Sequence, residues 1–272
     1  MAFDPKRGSY YRMPVFFGPT PGPRSWPPGR DFKFDVLPKR TSFGTRFLTR
    51  REQLQAWLPD CFEVWGEPVV TVEATYFQQL EWLAGRGYNM CDVKFNATFK
   101  GKDGPVHGSL VLVRFENLTD PILSGREELG HNKLYCAIPP IREQDGKLAA
   151  EMSWLGYQFL KLSAWDLKAV APPKPNPENR GMLSYKYVPA TGQWGVAEAE
   201  YATLSPVPKL GTMLEWQEGH GKVEFVHSAW EDLPTLYHMI NAYASLDQLE
   251  SRGGYLYRTE GGASGDETHR LY

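Results

Sequence analysis

The sequence has no excess of charge of either sign. Thirty basic and 32 acidic residues in a chain of 272 leave a net charge of -2. Nothing electrostatic therefore draws the protein to nucleic acid or to an anionic membrane. Cysteine is scarce. Cys61, Cys91 and Cys136 are odd in number and widely spaced, which excludes a disulfide framework, and they do not stand at metal-ligand spacing with the histidines. They read as reduced, buried thiols in a reducing compartment. No apolar run approaches the roughly 18 residues of a membrane span. The first residues, Met1 to Arg7, contain no apolar signal core. The expectation is a soluble cytoplasmic protein with neither membrane nor nucleic acid as partner.

Familiar catalytic signatures are missing too. There is no Gly-x-Gly-x-x-Gly after a strand, no phosphate-binding loop, no Gly-x-Ser-x-Gly elbow and no His-Glu-x-x-His. These absences remove the simplest dehydrogenase, nucleotide hydrolase, esterase and zinc protease readings. Asn96-Ala97-Thr98 and Asn117-Leu118-Thr119 match the glycosylation sequon but read as chance matches in strands.

Apolar residues are plentiful, at 42%, with 14% aromatic, which is far from the composition of disorder. Residues 1–30 are dense in Pro and Gly and read as an extended arm, because proline fixes φ and lacks a ladder donor. The arm's aromatics predict that it packs on its own body or on a neighbouring subunit. Strands are predicted from β-branched and alternating runs over 43–48, 69–77, 93–100, 107–116, 148–162 (one strand or a pair), 182–188, 193–202 and 222–228. Thr49 and Glu52 fit a capping box opening a short helix over 50–57. Apolar spacing predicts a second helix over 233–249. Residues 171–177 are a proline-rich loop, and 259–272 lack periodicity and read as a flexible tail. The fold class expected is α+β, mostly β, with antiparallel sheets and few helices. A single domain spans 31–258.

The segment that carries chemistry is Gly125-Arg126-Glu127-Glu128-Leu129-Gly130-His131-Asn132-Lys133-Leu134. It resembles the signature of the acetoacetate decarboxylase family: Gly-Arg-Glu, two variable residues, Gly, an aromatic, Pro, then two lysines. Gly125, Arg126, Glu127 and Gly130 match. Lys133 falls on the lysine that forms a Schiff base in the family. His131 replaces the aromatic, Asn132 the proline and Leu134 the second lysine. Arg40 falls on a family arginine and Glu73 on a family glutamate, whereas a second family glutamate falls on Met90.

The resemblance implies antiparallel sheets in a cone or barrel around a central cavity, homo-oligomers, and neither a metal nor an organic cofactor. It implies a lyase that decarboxylates a β-keto acid through a lysine iminium and enamine. In that reading Lys133 is the nucleophile, and Glu73 and His131 handle protons. Arg40, Arg126, Glu127 and Met90 lie at the substrate. The chemistry needs an unprotonated amine, so Lys133 must be desolvated or placed near a cation. Leu134 removes one cation, which leaves burial, with Leu134 and Tyr135 as walls. The changes at 90, 131, 132 and 134 leave open an aldolase, dehydratase or cyclase acting on a larger polyketide-like metabolite. A non-catalytic small-molecule binding protein is a further alternative. Trp154, Trp165, Trp194, Trp216 and Trp230 are expected in the core or around a cavity.

Overall fold

The computed structural model describes residues 8–27, 29, 37–207, 210–262 and 267–272. Strands β1 (Lys39–Leu48), β2 (Phe62–Val64), β3 (Val69–Gln78), β4 (Asn89–Gly101) and β5 (Gly104–Glu116) form the first half. After helix α2 (Thr119–Ser124) come β6 (Lys133–Tyr135), β7 (Arg142–Gln144), β8 (Lys147–Trp154) and β9 (Tyr157–Ala169). The rest comprises β10 (Gly181–Pro189), β11 (Ala197–Pro206), β12 (Leu210–Phe225), β13 (Glu250–Gly262) and β14 (His269–Arg270). Helix α1 (Arg51–Gln55) follows β1, and α3 (Tyr237–Ala244) precedes β13.

All of these strands join one sheet, in the order β14-β11-β10-β5-β4-β3-β1-β13-β12-β9-β8-β7, with β2 paired to β4 and β6 to β5. Neighbours are antiparallel except that β5 pairs in parallel with both β10 and β6. The sheet is therefore mixed, and its two ends, β14 and β7, do not pair, so the barrel is not closed. Two-residue hairpin links account for the antiparallel pairs β4–β5, β7–β8 and β8–β9, and the other antiparallel pairs close over longer connections. The parallel pairs arise where β6 and β10 come back beside β5 after longer excursions. The core is a continuous cluster in which Phe43, Val72, Phe95, Phe115, Phe159 and Ile240 are buried. In β5 the residues Leu110, Val111 and Val113 are all buried, so both faces of that strand are covered, as its pattern predicts.

Several local expectations shift. Thr49 donates its hydroxyl to the Gln53 side chain instead of accepting a helix amide, and α1 has no side-chain cap. The helix expected over 233–249 is regular only over Tyr237–Ala244, because the turns around Pro234 precede it and β13 begins at Glu250. The segment expected as a tail shares the sheet: β13 runs on to Gly262, and His269–Arg270 pairs with Thr203–Leu204 of β11. Trp194 and Trp230 are 100% and 60% exposed, so neither is core. No helix among the described residues is long and apolar enough to cross a membrane.

Candidate active site

Residues 119–135 fold as a compact excursion from the sheet. β5 ends at Glu116, α2 follows, and Gly125–Leu129 makes a single π turn. The turn stops at Gly130, whose φ of +75° is a left-handed conformation that glycine adopts without cost. The amides of Gly130 and His131 both donate to the Gly125 carbonyl, which closes the end. The chain then returns beside β5 as β6, with Lys133 opposite Arg114 and Tyr135 opposite Glu116. The Asn132 side chain donates to the Val111 carbonyl at 3.0 Å, and the Asn132 carbonyl accepts the Arg114 amide at 2.8 Å. Asn132, in the position of the family proline, thus ties the return to β5.

Lys133 is 6% exposed. Its Nζ donates to the Pro121 carbonyl at 2.9 Å and lies 2.8 Å from Glu116 Oε1. The two charges touch away from a hydrogen-bond direction, so both Glu116 oxygens keep free acceptor capacity. Gly125 is what lets the amine through. A Cβ there would sit 2.3 Å from Lys133 Cε and 2.7 Å from Nζ. Burial brings the Lys133 amine down to about 8; Glu116 opposes that fall and Arg114 adds to it. Burial likewise pushes the Glu116 carboxyl up, against the pull of Lys133 and Arg114. Arg114 itself is held by both Asp92 oxygens, at 2.6 and 2.7 Å. The cation lost at Leu134 is therefore replaced by one on the neighbouring strand.

Leu134 and Tyr135 are not the walls of this site. Tyr135 is half exposed, and neither residue lines the cavity. Alternation in β6 sends the residue after Lys133 to the other face. The amine packs against Pro121 and Gly125, and Lys133 lines a cavity of about 490 Å³ together with Ser124 and Met182.

Arg40 and Met90 line that cavity, as does His131. Arg40 lies between the Phe77 and Tyr257 rings, 5.7 and 5.3 Å from their centroids, and its Nε donates to Ser42. Its nearest carboxylate, Glu73, is 3.9 Å away. Glu73 lies behind Arg40, outside the cavity wall. It takes the Tyr255 hydroxyl at 2.7 Å and the Lys94 ammonium at 3.1 Å. Burial alone would raise the Glu73 carboxyl, but Lys94 and Arg40 outweigh it and hold it below its ordinary value. A carboxylate so held resists taking up a proton; it anchors Arg40. His131 is buried, with Nε2 2.9 Å from Ser205 Oγ, which in turn lies 2.8 Å from Thr268 Oγ1. Burial, Arg114 and Lys133 push its imidazole well below the usual histidine value, so it is neutral at pH 7. Its Nδ1 is buried without a partner among the described residues.

Arg126 and Glu127 do not reach the cavity. Arg126 is exposed and donates to the Lys133 carbonyl at 2.9 Å, holding the backbone that carries the amine. The Glu127 carbonyl accepts the Lys186 ammonium at 2.6 Å. Its neighbour Glu128 pins the arm, pairing with Arg12 and Arg24. Pro23, Arg24 and Trp26 then form part of the cavity wall. The arm packs on its own body.

Sequence reasoning missed Glu116, Arg114, Tyr88, Trp82 and Arg24. A signal existed for the first two. Arg114 and Glu116 are charges two apart in an otherwise apolar strand, and such buried charges need partners.

Fold and site together define a mostly β protein with a desolvated lysine at the floor of a cavity. The chain belongs to the acetoacetate decarboxylase family, whose model matches residues 12–252. A comparison with curated proteins finds no match. Among solved structures, an acetoacetate decarboxylase is 14% identical over 87% of this chain and 89% of its own, with a TM-score of 0.65. The acetoacetate decarboxylase of Legionella pneumophila is 17% identical over 87% of this chain and 92% of its own, at 0.61. The enduracididine biosynthesis enzyme MppR, complexed with the condensation product of pyruvate and imidazole 4-carboxaldehyde, is 13% identical over 92% and 95%, at 0.62. At such identities the likeness is one of fold.

Proposed function

We propose that this protein is a Schiff-base-forming lyase acting on a keto acid, with Lys133 as nucleophile. The observation that carries the reading is the buried amine, brought down to about 8, on the wall of a cavity of about 490 Å³. At pH 7 about one such amine in ten is neutral, against roughly one in three thousand for a lysine at 10.5. The neutral amine attacks the keto carbon and a C–N bond forms. The oxygen takes up protons and leaves as water, giving an iminium. With a carboxylate on the carbon next to the iminium carbon, the bond to that carboxylate breaks, carbon dioxide leaves, and the electron pair moves into the enamine. Protonation at carbon and hydrolysis by water release the ketone and free the amine. Arg40 receives the carboxylate through its planar fork. Glu116 relays protons at the amine, since its raised carboxyl titrates nearer to neutrality.

A second reading is aldolase or dehydratase chemistry on a larger metabolite. The observation favouring it is the Glu116 carboxylate 2.8 Å from the amine. Decarboxylation creates the enamine without a base, whereas an aldol route must remove a proton from carbon. The binding-protein alternative loses support from the burial of Lys133, because a bare binding site has no use for a desolvated amine. The reading extends to a cytoplasmic homo-oligomer, for which the exposed Met13, Phe16 and Phe17 of the arm offer an apolar contact surface.

The test is reduction with cyanoborohydride in the presence of acetoacetate or pyruvate, followed by peptide mass analysis. A reduced adduct on Lys133 is expected, absent in Lys133→Met. An unlabelled Lys133 with both acids would remove the proposal. Release of carbon dioxide from acetoacetate separates decarboxylase from aldolase.

A further inference from the structure

Acetoacetate is small for this cavity. Its seven heavy atoms, at roughly 30 Å³ each as in liquid water, fill about 200 Å³. The cavity holds about 490 Å³, within the range typical of pockets for drug-sized ligands. More than half of it is left over once a short keto acid sits at Lys133 and Arg40.

The unfilled part has a built wall. β3 and β4 are joined by residues 79–88, far longer than the usual hairpin link of two to five residues. This connection brings Leu80, Trp82 and Tyr88 to the cavity. Phe77 and Tyr88 pack with ring centroids 5.0 Å apart, and Trp82 stands edge-on to Tyr88 at 6.4 Å. Two residues of the connection, Gln79 and Ala84, hold left-handed φ angles of +58° and +53°. Non-glycine residues adopt these at a cost, and such strain concentrates where a binding surface has to be held in shape. Met90 adds a thioether, a soft partner for aromatic rings, where the family has a carboxylate. From the arm, Trp26 and Pro23 line the same space. The Tyr88 hydroxyl has no hydrogen-bond partner among the described residues, which leaves it available to a ligand.

We infer that the keto acid this protein takes carries an aromatic ring or a comparably flat apolar group, received by the wall that the β3–β4 connection builds. This rests on the Schiff-base reading above and adds the substrate class. The acid group and carbonyl lie at Arg40 and Lys133. The ring lies against Trp82 and Tyr88, in the edge-on or offset arrangements that aromatic pairs prefer.

The experiment is a concentration series of cyanoborohydride trapping on the full chain, read as the mass adduct on Lys133. The probes are benzoylacetate and 4-phenyl-2-oxobutanoate against acetoacetate and pyruvate. The expected half-saturating concentration is about tenfold or more lower for the two aryl acids, the advantage of about 1.4 kcal/mol that one stacked ring gives. Trp82→Ala should weaken trapping of the aryl acids at least fivefold more than that of pyruvate. The pyruvate adduct on the variant also reports that it is folded. Similar half-saturation for all four acids, or an equal loss for all in Trp82→Ala, overturns this inference and leaves the Schiff-base reading standing. Failure of all four to label Lys133 removes both.

Discussion

Replacing Glu116 by Gln separates the two things its carboxylate does at Lys133. The charge holds the ammonium form, and the oxygens accept protons. Unit charges 2.8 Å apart at an effective dielectric constant of 20 attract by roughly 6 kcal/mol, which is a ceiling. An opposite charge at this range commonly shifts a partner by about 1–3 pKa units, or roughly 1.4–4 kcal/mol. Glu116 raises the amine, so its loss lowers it, from about 8 to roughly 5–7. The assay is the pH dependence of Lys133 trapping by pyruvate and cyanoborohydride. Its midpoint should fall by at least about one unit, and at pH 6 the variant should capture pyruvate faster than the parent. Turnover should move the other way and drop about 100-fold or more, the usual loss with a proton-transfer group. A midpoint that stays put or rises refutes the argument, because Glu116 would then not bear on the amine.

Gly125→Ala places a Cβ 2.3 Å from Lys133 Cε, so trapping at Lys133 should fall at least about 100-fold, since small misplacements of a reacting group cost rates of that order, while the circular dichroism of the sheet is retained. The Lys133→Met/Glu116→Leu double variant should be inactive yet more stable at pH 7 by about 1–4 kcal/mol, because apolar replacement of a buried pair removes its desolvation cost; a urea titration checks it. The folded pKa of Lys133 lies below its ordinary 10.5, so the unfolded chain binds more protons between pH 8 and 10.5. The parent should gain stability across that window, by up to about 3 kcal/mol, and the double variant should lack this rise.

The strand-rich fold was legible because alternation and β-branching act locally. The two-sided burial of β5 is visible in that pattern, which leaves 148–162 open between one strand and the pair that turns at Leu155-Gly156. Lys133 stood out because Gly125, Arg126, Glu127 and Gly130 match a family signature within eight residues of it. Glu116 did not, since it meets the amine only when β6 returns parallel to β5, a pairing that no local signal fixes. Arg126 and Glu127 share the lysine's motif, but neither lines the cavity: Arg126 is exposed and holds the Lys133 backbone, and the Glu127 carbonyl takes the Lys186 ammonium. The tryptophans misled for a related reason. Composition tells how many there are, and the cavity is lined by Trp26 and Trp82, which lie on the arm and on the β3–β4 connection.

The arm also bears on how the molecule is put together during synthesis. Arg24 leaves the ribosome early, yet its partner Glu128 lies 104 residues later. Its seat exists only after the π turn has formed and β6 has joined β5. Closing so long a loop comes at an entropic cost that local hairpins do not bear. The wall containing Pro23 and Trp26 is thus among the last parts to fall into place. A nascent chain stalled before residue 128 would hold β1, β3, β4 and β5 but neither a finished pocket nor the Lys133 amine.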